Sequence, residues 1–167
     1  AYGTPLTATQ LQATSAVPGS FSYTPAAGVV LPAGSATLSV VLSPTDAANF
    51  TTATASVPLT VNQAVPVIIW APPTPIIAGT PLSSEQLRAT ASVPGSFTYT
   101  PASGALLPIG TQTLSAQFAP VDASNFTTAT ASVPLVVGQP PLVITWNPPN
   151  AITYGTLLGS SQLNATA

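Results

Sequence analysis

Residues 90–101 read Thr-Ala-Ser-Val-Pro-Gly-Ser-Phe-Thr-Tyr-Thr-Pro, and residues 14–25 read Thr-Ser-Ala-Val-Pro-Gly-Ser-Phe-Ser-Tyr-Thr-Pro. The two copies stand 76 positions apart, and other residues keep the same spacing: Gly3, Gly79 and Gly155; Trp70 and Trp146; Asp46 and Asp122. Setting residues 1–76 against 77–152 needs no gap and gives 46 identities. Self-similarity at a fixed period is the mark of an array of like units, so architecture is settled before any ligand can be considered. The repeat divides the chain into residues 1–63, 64–139 and 140–167, the last being the opening part of a third copy. The chain begins and ends within a repeat, so it reads as a window on a longer array.

Within each unit the apolar residues fall on every second position. Leu87, Ala89, Ala91 and Val93, like Leu11, Ala13, Ser15 and Val17, alternate with polar residues and predict a half-buried strand. Phe97 and Tyr99 form the inward side of the next strand, and Leu114, Ala116 and Phe118 that of a third. Residues 120–126 form a corner. Ala131, Val133, Leu135 and Val137 then face inward along the last strand, and Pro134, like Pro58, takes the outward phase. A proline there calls for an open edge or a bulge, since it has no N–H to give a ladder. Pro141-Leu-Val-Ile-Thr-Trp146 opens the third copy, with Ile144 and Trp146 as its inward pair. Pro, Gly or Asn bounds every segment, and none shows helical periodicity. Six or seven short strands in 76 residues predict an all-β chain of tandem antiparallel β-sandwiches.

Charge is nearly absent. Asp46, Glu85, Arg88 and Asp122 are the only charged side chains, and there is no His and no Cys. One Arg cannot neutralise a run of phosphates, which argues against nucleic-acid binding. It cannot hold an anionic membrane either, and no apolar run reaches bilayer length, so membrane insertion is not expected. With no His, Cys or Lys, a hydroxyl nucleophile would have only a carboxylate as its base, and Asp46 and Asp122 are the sole recurring ones. One recurring carboxylate per unit does not make a carboxylate pair. No enzyme activity and no cofactor are expected. Asp-Ala-Ala-Asn and Asp-Ala-Ser-Asn offer two oxygen ligands, whereas calcium takes six to eight. The favoured reading is that the Asp caps its own corner while the Asn accepts a left-handed backbone. Trp70, Trp146, Tyr23 and Tyr99 all fall on inward phases, where they fill a core and do not form a sugar-binding platform. Tyr2 and Tyr154 are replaced by Ala78 in the middle copy and are assigned no core role.

The order of motifs resembles the bacterial immunoglobulin-like (Big-type) tandem repeats of large surface proteins. The resemblance rests on Ile-Ile-Trp-Ala-Pro-Pro at residues 68–73, Gly-Thr-Pro-Leu at 79–82 and Phe-Thr-Tyr-Thr-Pro at 97–101. The Asp-Ala-Ser-Asn-Phe corner at 122–126 and Ala-Ser-Val-Pro-Leu at 131–135 complete it. It implies tandem immunoglobulin-like sandwiches in an extracellular or cell-surface setting, used as a stalk, a spacer or an adhesive module. Hydroxyl residues where Lys and Glu usually stand agree with that setting. Partners are then neighbouring repeats or copies of the same chain in a filament. Glycans are a further expectation: Asn49, Asn125 and Asn164 stand in Asn-x-Thr triplets, with O-linked sugars preferred over N-linked ones. An adhesin or carbohydrate-binding module is the alternative, and a spacer beside a secreted enzyme a third.

The first unit lacks the opening strand that Val67–Trp70 gives the second, and Leu142, Ile144 and Trp146 belong to a spare copy of it. Head-to-tail strand complementation into a filament is one expectation. A continuous longer array, in which no strand need be donated, is the other.

Overall fold

The computed structural model describes residues 1–167. The chain is all-β, without a helix, and its strands form separate sheets. In the first unit, β1 (Gly19–Thr24), β2 (Gly34–Pro44) and β3 (Ala53–Val61) make one antiparallel sheet in sequence order. In the second, β4 (Ile68–Ile69) pairs antiparallel with β6 (Thr90–Ala91). A four-stranded sheet is built from β5 (Ile76–Ile77), β9 (Ala129–Gly138), β8 (Gly110–Pro120) and β7 (Gly95–Thr100), in that order. The β5–β9 pair is parallel and the others are antiparallel.

Period-2 alternation explains why these segments are strands. Along β8, Leu114, Ala116 and Phe118 are buried while the residues between them are exposed, and along β9 Val133, Leu135 and Val137 do the same. The register sets Leu114 opposite Val133 and Phe97 opposite Phe118, so inward residues meet across the ladder. The Phe97 and Phe118 ring centroids lie 4.9 Å apart. Trp70, Leu82, Leu87, Leu114, Ala116, Val133, Leu135 and Val137 form one core cluster, with Phe97, Tyr99 and Ala131 packed against it. Burying such a side chain stabilises the fold by about 1.5–3 kcal/mol. Pro134 lies opposite Thr113 and is exposed; β5 reaches only Val137 and Gly138, which leaves the far edge of β9 open at the proline. Pro58 stands on β3, itself an edge strand.

Three expectations need correction. The alternating segments 11–17 and 87–93 are not full strands: only Thr90 and Ala91 pair, and residues 11–17 lie outside any ladder. The reason is local and long-range at once. Ser83–Leu87 is a tight turn, with the Leu87 N–H donating to the Ser83 carbonyl, and β6 exists only because β4 lies beside it. The first unit has no strand in the corresponding place. Second, no residue other than glycine has a positive φ, so the corner asparagines are not left-handed. Their side chains bond Asp46 and Asp122, which fixes the corner without that conformation. Third, Ile144 and Trp146 are exposed, not inward. Residues 140–167 hold a single antiparallel bridge, Thr145 to Thr166, and no sheet against which the pair could be buried.

Candidate functional site

Two places in the fold stand out when the repeats are set side by side. The first is the joint between the first and second units. The corner after β8 is closed by Asp122, which accepts from the Asn125 backbone N–H at 3.2 Å and from its Nδ2 at 2.8 Å. That leaves Asn125 Oδ1 pointing at the first unit, where it accepts the Ala33 N–H at 2.8 Å. Gln63 donates its amide to the Ala123 and Ser124 carbonyls. The Ala64 N–H donates to the Asn125 carbonyl and the Thr127 N–H to the Ala64 carbonyl, which makes a parallel bridge from Ala64 to Phe126. The Tyr2 ring meets Phe126 edge-on, with centroids 5.3 Å apart.

These contacts turn the connector into part of the structure. The corner motif therefore works as a latch between units. Asp46 and Asn49 repeat its inner bonds in the first unit, and the Asn49 amide holds the Asp46 carboxyl below the ordinary carboxylate range. There the rest of the joint is missing: Phe50 is 47 % exposed, while Phe126 is half-buried.

The second place is the groove on the first unit. Its floor comes from Leu38 and Val40 of β2 and Ala55 and Val57 of β3, and its walls from Gln10, Leu11, Ala13 and Tyr23. It holds about 260 Å³ and is mostly apolar. The same positions in the second unit are Leu114, Ala116, Ala131, Val133, Gln86, Leu87, Ala89 and Tyr99, and there Trp70 lies among them. Its indole Nε1 donates to the Gln86 carbonyl at 3.1 Å, and its ring meets Tyr99 edge-on at 5.5 Å. Other bonds around these positions recur in both units. The Ala13 N–H donates to Tyr23 Oη at 2.8 Å, as the Ala89 N–H does to Tyr99 Oη at 2.9 Å. Val57 is 55 % exposed and Val133 6 %, although the residue and its register are the same. What separates them is the cover supplied by the opening strand and Trp70.

Leu142, Ile144 and Trp146 are exposed together at the other end of the chain. The Trp146 indole donates to the Gln162 carbonyl at 3.0 Å, the bond Trp70 makes, yet its ring is 58 % exposed against 8 % for Trp70. Among the candidate glycan acceptors, Asn49 and Asn125 commit Nδ2 to the neighbouring Asp, and Asn125 lies inside the joint; Asn164 is exposed. Sequence reasoning missed Tyr2 and Ala33 as joint residues, whereas Gln63 lies in the short, proline-containing connector of residues 62–66 that the sequence itself marks as restricted. Gln63 and Gln139 also share the repeat spacing. Searches of family models, curated proteins and solved structures gave no match.

Proposed function

We propose that the chain is a structural repeat protein of the extracellular or cell-surface kind, whose tandem immunoglobulin-like sandwiches form a stalk or filament. The joint carries this reading. A flexible string of independent domains has no use for a connector whose backbone is bonded into the next unit, whereas a stiff rod does. Bonds from Ala33, Gln63 and Ala64 to one corner, with the Tyr2–Phe126 contact beside them, restrict how two neighbours can rotate. The resemblance to Big-type repeats of large surface proteins points the same way. Near-absence of charge suits side-by-side packing, because like surfaces with almost no charge repel little.

Electron microscopy of the protein at its native location tests the reading. The expected image is a rod or fibre with an axial period of one unit. Isolated compact particles, or beads joined by bends of every angle, would overturn it.

A further inference from the structure

The chain comes into the second unit along one segment, residues 63–78, which is fastened to three different parts of that unit. At its start, the Gln63 amide donates to the Ala123 and Ser124 carbonyls, the Ala64 N–H to the Asn125 carbonyl, and the Thr127 N–H to the Ala64 carbonyl. In its middle, β4 pairs with β6, and the Ser92 N–H donates to the Val67 carbonyl. There Trp70 is buried in the core, with its indole N–H on the Gln86 carbonyl. At its end, β5 lies beside the last residues of β9, and the Ala78 N–H donates to the Gly138 carbonyl at 2.9 Å. Pro66, Pro72, Pro73 and Pro75 have no N–H, so the backbone bonds gather at these points and do not run the whole length.

The strand directions decide how these bonds answer a pull. Ala64 lies parallel beside Phe126, and Ile76 lies parallel beside Val137. The incoming segment and β9, by which the chain leaves, therefore run in the same sense along the unit. The chain comes in at one end and goes out at the other. Tension passed through the neighbours draws residues 63–78 back toward the first unit and draws β9 forward toward residue 140. The two must slide past each other, and the fastenings at Ala64 and at Ile76–Ala78 are strained together. Were the two strands antiparallel, their pairs would open one after another, each taking the whole force in turn.

We propose that residues 63–78 and β9 form a shear clamp, through which the second unit withstands tension along the array. This rests on the stalk reading and adds the kind of force that such a stalk meets. Trp70 resists the same sliding, because its ring must leave the core before the segment can move. The corner also takes up force directly: Asn125 Oδ1 holds the Ala33 N–H of the first unit, beside the connector.

Single-molecule pulling of the full chain tests this. The protein has no Cys, so a pair of introduced thiols fixes where the force acts. Handles on Asn62→Cys and Gln139→Cys, both at exposed positions, strain the clamp in shear. Handles on Thr80→Cys and Gln139→Cys, at one end of the unit, peel β5 from β9 instead. Rupture force reads the unfolding barrier and not the equilibrium stability. It is expected to be several-fold higher in shear, with an opening of about 200–250 Å as the released residues extend. Ala64→Pro takes one N–H from the shear path, and Pro140 stands at the same place in the next copy. It should lower the shear force and leave the peeling force unchanged, whereas a general weakening of the fold lowers both. Equal forces in the two geometries, or an Ala64→Pro chain in which the shear force is unchanged or falls no more than the peeling force, would each overturn the proposal. Rods seen at the native location beside equal forces would leave the stalk reading standing while the clamp fails.

Discussion

Gly95 and Gly19 show how closely the repeat constrains a single residue. A Cβ on Gly95 would run into the Phe118 ring and the Ala119 carbonyl. One on Gly19 would meet the Ser43 carbonyl, Leu42 Cδ1 at 2.8 Å and Pro44 Cα at 2.9 Å. At each glycine a backbone carbonyl is among the obstacles, so turning a side chain aside is not enough and the strands must separate to admit it. Gly95→Ala should therefore destabilise the second unit by about 1–3 kcal/mol, the usual cost of overpacking. Calorimetry checks this, and an unchanged melting temperature would mean that β7 and β8 lie further apart than described. Trp70 makes a different kind of prediction, since it supplies both bulk and a donor. Trp70→Ala should cost about 3–5 kcal/mol in denaturant unfolding. Trp70→Phe should cost less, leaving the Gln86 carbonyl without its indole partner. If the two variants were equally unstable, the hydrogen bond and not the bulk would be what matters.

At the scale of strands and connectors, the difference between the units has a measurable consequence. β3 has exposed residues where β9 is buried, although the two share nearly all their sequence. Amide exchange should therefore be faster across β1–β3 than across β7–β9, and the first unit should melt at the lower temperature. Asn125→Ala removes both the corner bond and the acceptor for Ala33, so it should loosen the joint and broaden the distribution of lengths in small-angle scattering. Asn49→Ala should leave that distribution unchanged, because Asn49 bonds Asp46 of its own unit and not the second unit. Strands β7, β8 and β9 were legible because alternation is a property of consecutive residues. The short β6 was not, because Thr90 and Ala91 pair only where β4 lies alongside, and no local pattern carries that condition. The joint was hidden for the same reason: Ala33 and Asn125 are 92 positions apart. Tyr2 was set aside because the middle copy has Ala78, yet its contact is with the next unit's Phe126, outside its own core.

Over the whole molecule, scarcity of charge governs the response to pH. Asp46, Glu85 and Asp122 are the only acidic side chains, Arg88 the only basic one, and no His titrates near neutrality. Stability depends on pH only where folded and unfolded chains bind different numbers of protons. Asp46 is one such group: its bond from the Asn49 side chain, then that from the Asn49 backbone, lowers its folded pKa below the unfolded value. A lowered acid contributes stability above its unfolded pKa and loses it as pH falls through the folded one. Its contribution is thus complete at neutral pH and fades only below about pH 4, as pH falls from the ordinary carboxylate range toward the lowered folded value. The corner is open to solvent, which keeps that contribution small. Melting temperature should accordingly be flat from about pH 5 to 9 and decline only in more acid solution. Asp46→Asn should flatten the acid decline of the first unit and leave the neutral plateau in place. A slope within the plateau would mean that a group outside this short list gains or loses a proton on folding, and the weak electrostatics assumed for lateral packing would no longer hold.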